Sequence, residues 1–283
     1  MAGRAMILIL TLGLTLSHVG GSVGQHAMAQ DDPALAVRME PWEQQAMRDR
    51  GQRLYRQACA PCHGIDGSGQ GPAASGLHPK PHDFTTGMYK FRTTPLDAMP
   101  TDADLVRTIR EGIPGTTMPA WKRLLSVSQQ MALAQYLKTF AAEAFTRSPP
   151  TADTTLRQLP PAPAATPEHV QRGRRIYERL ACGQCHGPEG RGNGPLADSL
   201  RDAWNRPIRP ANLTRGIYKS GTTPEDLLRT LWTGLAGTPM PAWSGAISLE
   251  EGWDLVHYIR SLSKANTFWQ QVFVNSGEAY PGR

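Results

Sequence analysis

Apolar residues along the chain fall into one short block and six stripes at helical spacing. The block, Ala5 to Leu16, is apolar at nearly every position. The first stripe holds Gly51, Leu54, Tyr55 and Ala58, the second Leu105 and Ile109, the third Leu133, Tyr136, Leu137 and Phe140. The other three are Gly173, Ile176, Tyr177 and Leu180; Leu227, Leu228 and Leu231; and Trp253, Val256, Ile259 and Leu262. Such periods predict amphipathic helices, and no segment alternates as a half-buried strand does. Ser126 with Gln129, and Ser248 with Glu251, have capping-box spacing and predict where the closing helices start. The expected fold class is all-α.

The block at residues 5–16 is too short for the ~20 residues of a membrane span. Arg4 precedes it, and a polar stretch ending Ala27-Met28-Ala29 follows. This order reads as a secretory signal peptide over residues 1–29, cleaved after Ala29. The expected product is exported to the periplasm, with no transmembrane segment in the mature chain.

The stripes repeat in register. Gly51 to Tyr55 matches Gly173 to Tyr177, and His63, Gly64, Gly67, Gly69 and Gly71 match His186, Gly187, Gly190, Gly192 and Gly194. Thr93-Thr94-Pro95 matches Thr222-Thr223-Pro224, and Met118-Pro119-Ala120-Trp121 matches Met240-Pro241-Ala242-Trp243. The offset drifts between 122 and 129, which places small insertions near Leu96 to Ala103 and near Arg201 to Arg206. Repeats are read first because they decide the architecture. The expectation is two tandem domains, 41–146 and 168–264, a proline-rich linker over 147–167 of extended character, and a tail over 265–283.

All four cysteines sit in Cys59-Ala60-Pro61-Cys62-His63 and Cys182-Gly183-Gln184-Cys185-His186. Cys-x-x-Cys-His reads as covalent c-type haem attachment. Two thiols one helical turn apart each add to a haem vinyl group, and the next histidine faces the iron. A zinc ribbon would bring its pairs ~15–20 residues apart, against a separation of 120 here. No βαβ pattern surrounds either motif, as a thioredoxin-like pair would require. Cys59, Cys62, Cys182 and Cys185 are thus the expected attachment points of two haem c groups, and His63 and His186 the proximal iron ligands.

The distal ligand follows by elimination. Beyond His186 the chain has one methionine, Met240, and one histidine, His257, which reads as a surface or rim residue of the last helix. Met240 lies between prolines, which hold the backbone out of helix. In the first half, Met88 and Met131 face apolar counterparts, Met99 falls in an insertion, and His78 and His82 have no counterpart. Met118 occupies the position equivalent to Met240. Met118 and Met240 are the expected distal ligands.

Each half resembles a class I cytochrome c domain, and the whole chain resembles the exported dihaem cytochromes c of bacterial electron-transfer chains. The resemblance implies that the first and last helices of each domain cross, with Gly51 and Gly173 admitting Tyr136 and Tyr258. It also implies that the Pro72 and Pro195 carbonyls accept hydrogen bonds from the proximal histidines.

Charge adds one exclusion. The formal charge is +6 with a pI near 9.3, which in isolation suggests a nucleic-acid binder. Two haems bring four propionates, which offset most of that surplus. No nucleic-acid role is expected. Lys90 and Lys219, each after a tyrosine, and the indoles of Trp121 and Trp243 are candidate propionate partners. The expected function is single-electron transfer between redox partner proteins, without bond-breaking catalysis. The alternatives are a dihaem peroxidase-type enzyme and a cytochrome subunit of a larger oxidoreductase, for which the apolar tail Phe268 to Phe273 offers a docking element.

Overall fold

A computed structural model describes residues 40–151, 156 and 159–263. The signal-peptide region and the tail Phe268 to Phe273 lie outside the described residues. Residues 40–263 fall within one compact unit. Among the described residues there are helices, 3-10 turns and loops, and no strand beyond an isolated bridge between Arg201 and Pro207. The all-α expectation is met. No helix of the described residues is long and apolar enough to cross a membrane.

The first half runs α1 (Pro41–Ala58), α2 (Ala60–His63), α3 (Asp102–Glu111), α4 (Val127–Leu137) and α5 (Ala142–Arg147). The second runs α6 (Pro167–Arg179), α7 (Gly183–His186), α8 (Pro224–Thr233) and α9 (Leu249–Ser261). The starts are encoded locally. Ser126 accepts from the Gln129 amide and Ser248 from the Glu251 amide, with the reciprocal side-chain bonds closing both capping boxes. Thr101 and Thr223 begin α3 and α8 in the same way. These bonds satisfy amides that a helix start leaves without partners.

In each half the first helix packs on the helix that starts at Ser126 or Ser248, α1 on α4 and α6 on α9. A glycine sits at each crossing. A side chain on Gly51 would run into the Ala132 carbonyl and Tyr136, and one on Gly173 into the Asp254 carbonyl and Tyr258. Each half has its own core. Tyr55, Ile109, Leu133 and Leu137 are buried in the first, and Ile176, Leu228, Leu255, Val256 and Ile259 in the second. Burying each such side chain contributes roughly 1.5–3 kcal/mol. The segment between the halves is not a free tether. Leu156, Leu159 and Ala162 pack on the second core, and the Ala162 amide donates to Glu225 at 3.4 Å.

His257 departs from its sequence expectation. It is buried rather than on the rim, with the Pro163 carbonyl near enough to raise its proton affinity. The segment between the halves covers the α9 face that a lone domain would leave open.

The halves meet through equivalent positions. Gly237 lies against Met88, and Gly115 against Ile217, which is the Met88 counterpart. Arg107 and Arg229, also counterparts, approach closely enough for their charges to interact. A contact that reads the same from either side is the signature of an isologous, two-fold interface. The insertion near Arg201 to Arg206 adds Trp204, whose ring lies 5.9 Å beneath the Lys90 ammonium.

Candidate haem sites

Each Cys-x-x-Cys-His motif forms one helical turn of its own, α2 and α7. A glycine with positive φ ends each turn, Gly64 at 80° and Gly187 at 79°, a region that costs other residues more. The first helix of each half holds this point in place. Tyr55 Oη donates to the Gly64 carbonyl at 2.7 Å, and Tyr177 Oη to the Gly187 carbonyl at 2.6 Å.

The proximal histidines are oriented by backbone. His63 Nδ1 lies 3.0 Å from the His82 carbonyl, and His186 Nδ1 lies 3.0 Å from the Ala211 carbonyl. The Pro72 and Pro195 carbonyls, expected from the resemblance, are not the acceptors. The glycine-rich loop folds back on the motif through the Ala73 amide bonded to the Pro61 carbonyl, which carries exposed Pro72 away. The Phe84 amide bonds the Gly67 carbonyl, and the Leu213 amide the Gly190 carbonyl. Those bonds bring residues 82 and 211 beneath the histidines. A proton held at Nδ1 leaves Nε2 free as a ligand nitrogen. Burial lowers the pKa of both histidines, so they stay neutral.

The methionine loops are matched. The Ile113 amide bonds the Met118 carbonyl and the Leu235 amide the Met240 carbonyl, both at 3.1 Å. The Trp121 amide returns to the Ile109 carbonyl and the Trp243 amide to that of Leu231, pinning each loop to the end of α3 or α8. Gly112 and Gly234 make that approach possible, since a side chain there would strike Pro119 or Pro241.

All eight candidate residues line one cavity. Its wall takes Cys59, Cys62, His63 and Met118 from one half and Cys182, Cys185, His186 and Met240 from the other. None of the four cysteines is paired in a disulfide. Burial pushes the Cys59 thiol up to about 12 and the Cys182 thiol to about 11. A reactive redox pair needs the opposite shift. No group of three or more His, Cys, Asp or Glu that could hold a metal ion occurs among the described residues. The walls also carry polar atoms awaiting a partner: His82 Nε2 and Trp243 Nε1 are buried without hydrogen bonds. An apolar cavity with thiols, neutral imidazoles, thioethers and a few unpaired donors fits a covalent haem in each half.

Sequence reasoning did not anticipate His82 and Ala211 as the carbonyl acceptors. A backbone acceptor has no residue signature, although the register aligning Phe84 with Leu213 already aligned these two positions.

The fold and site define a c-type cytochrome with two tandem domains, each binding a covalent haem c. The family model for cytochrome C oxidase, cbb3-type, subunit III matches residues 45–137 and again 168–259, and the chain belongs to that family. It is 26% identical over 223 residues to the cbb3-type cytochrome c oxidase subunit FixP of Azorhizobium caulinodans, covering 76% of this chain. The match spans 59% of the length of that relative. Among solved structures, the chain is similar to one from the Kuenenia stuttgartiensis reducing HAO-like protein complex Kustc0457/Kustc0458. That likeness has a TM-score of 0.72 and 41% identity, over 76% of this chain and 96% of that one.

Proposed function

We propose that the chain is an exported, periplasmic electron carrier that passes single electrons between redox partner proteins through two haems with His/Met ligation. The observation that carries this is the single cavity lined by both attachment motifs and both methionine loops. Haem iron supplies the one-electron ferrous/ferric couple. In this reading Cys59, Cys62, Cys182 and Cys185 anchor the haems, and His63 and His186 ligate through Nε2. Met118 and Met240 complete the two coordination spheres. The thioether raises the reduction potential relative to bis-histidine ligation. In this reading the matched loops would saturate both irons and leave no substrate position of the kind a peroxidase needs. We read the pair as a relay rather than two independent carriers, because both attachment motifs line the same cavity.

A second observation favours work inside an assembly. Both relatives are named as parts of complexes, an oxidase subunit and a chain of an HAO-like complex. We read this chain as a cytochrome subunit or dedicated partner of a larger oxidoreductase.

Spectra of the purified protein with and without carbon monoxide, followed by a redox titration, test the reading. Two low-spin couples that do not bind carbon monoxide are expected. A high-spin, carbon monoxide-binding haem in the wild type would favour the enzyme alternative.

A further inference from the structure

The two proximal histidines have matched backbones and unmatched neighbours. His63 and His186 end equivalent turns, and each Nδ1 lies 3.0 Å from a main-chain carbonyl. What differs is the side chain laid against the imidazole. Phe84 stacks on His63, with ring centroids 4.7 Å apart and planes 25° from parallel. Its repeat counterpart is Leu213. Within the second half the ring pairs among the described residues are Tyr177 with Tyr258 and His169 with His257, and neither includes His186. Both counterparts are placed by the same main-chain device. The Phe84 amide donates to the Gly67 carbonyl at 2.8 Å and the Leu213 amide to the Gly190 carbonyl at 2.7 Å. Each residue opens a short 3-10 turn capped by the side chain before it, Asp83 or Asn212. The position is therefore common to both halves, and only the occupant differs. Phe140 stacks on Phe84 in turn, 15° from parallel with centroids 6.1 Å apart. The Phe140 counterpart is Leu262, and the two fill the same space, over Gly67 and over Gly190. The first half stacks rings behind its histidine where the second packs aliphatic side chains.

We propose that Phe84 is the residue that makes the two centres inequivalent: stacked on His63, it holds the first half's redox couple below the second's, so that electrons enter through the first half and leave through the second. The physical cause is the charge that a ligating imidazole shares with its iron. The ferric state puts more positive charge on that ring than the ferrous state does. The face of an aromatic ring is the negative part of its quadrupole, and it attracts a cation held over it within about 6 Å. Phe84 presents that face to His63 and so stabilises the ferric state, whereas aliphatic Leu213 has no such field. The lower couple gives up its electron more readily. One electron then passes from the first half to the second, the first iron being oxidised and the second reduced, with no bond or proton changing place. Ala211 is exposed and His82 half-buried, a difference between the two acceptors that exchanging Phe84 and Leu213 leaves in place. The inference rests on haem attachment at both motifs with His63 and His186 as ligands, and goes beyond that reading in naming the residue that orders the pair.

The test is a spectroelectrochemical titration of the full-length, two-haem protein. The wild type is expected to show two couples, and the one that survives changing Cys182 and Cys185 to Ala, the first half's, should be the lower. Phe84→Leu should raise that couple alone, increasing its equilibrium constant for reduction about twofold to fivefold, which is about 20–40 mV at 59 mV per tenfold for one electron. Phe84→Tyr keeps a ring face and should hold the wild-type value. Leu213→Phe should lower the second couple by a similar factor. A lower couple belonging to the second half overturns the order. A first couple that Phe84→Leu leaves unmoved or lowers overturns the role of the ring, since loosened packing and entering water favour the ferric state and move it the other way. Equal movement of both couples overturns it as well. If Phe84→Leu fails to take up haem, Leu213→Phe decides by the sign of its shift. Haem content by mass spectrometry and carbon monoxide binding are read on the same wild-type samples. One haem, or a haem that binds carbon monoxide, would mean that the two-haem His/Met reading fails, which is distinguishable from two saturated haems whose couples ignore Phe84.

Discussion

Arg92 of the first half donates from Nη2 to the carbonyl of Thr233 in the second, at 3.4 Å, and is only 2% exposed. Thr233 ends α8, where helix carbonyls lack amide partners and a cation is favoured. The same guanidinium also serves the carbonyls of Tyr89, Thr94 and Pro95. Arg92→Met would leave these acceptors unpaired in a buried place. The expected loss is about 3 kcal/mol, read by thermal unfolding of the holoprotein, with the two halves melting apart. A loss below about 1 kcal/mol would mean that the apolar contacts hold the junction without it.

Haem stoichiometry follows from the separate cores. Mass spectrometry of the mature protein should give the polypeptide plus two haem masses. Changing Cys182 and Cys185 to Ala should remove one haem and leave the first half's spectrum intact. Loss of both haems would show that the halves depend on one another for attachment.

The methionine assignment is tested singly. The oxidised protein should show the weak sulfur-to-iron absorption at the red end of the visible spectrum. Met240→Ala should halve it and open one haem to carbon monoxide, and Met118→Ala should do the same for the other. A full band in the Met240 variant would move ligation elsewhere. His257 is a poor substitute, because it is buried under the segment between the halves.

Glycine substitutions should split by position. Gly51→Ala and Gly173→Ala place a methyl against the carbonyls of Ala132 and Asp254, and should cost roughly 3 kcal/mol by forcing the crossing helices apart. Gly76→Ala and Gly245→Ala meet nothing within 4 Å and should be neutral or slightly stabilising. Denaturant titration of the four variants checks the ranking.

Much of this arrangement is written locally. The capping boxes at Ser126 and Ser248, the two attachment motifs and the matched Met-Pro-Ala-Trp loops each lie within a few residues. Their spacing therefore fixes their geometry whatever the rest of the chain does. The junction is different in kind. Arg92 and Thr233 are 141 residues apart, and nothing around Arg92 marks it as reaching a second helix. The acceptors at His82 and Ala211 are main-chain atoms, which any residue type supplies. His257 looked like a rim residue because its helix face is covered by a proline-rich segment whose course no periodic pattern announces.

That covered face also gives the second half a pH response. His257 is buried, and desolvation, with His169 and Arg260 nearby, holds its pKa below the usual 6.5 despite Asp254 and the Pro163 carbonyl. Asp254 is already committed, receiving Arg172 Nε at 2.6 Å and lying 2.7 Å from His169 Nδ1. In the unfolded chain His257 takes up a proton near pH 6.5, whereas in the folded protein it resists. Between those two pKa values the unfolded state binds more protons, so stability falls as pH drops. The contribution is complete above about 6.5 and is lost progressively below it. Urea unfolding of the holoprotein at pH 7.5 and pH 5 should therefore show a loss that His257→Gln reduces. Other buried histidines and the iron ligands also respond to acid, so the informative quantity is the difference between wild type and variant. An equal loss in both would mean that the imidazole is protonated in the folded state, and that the Pro163 contact survives acid.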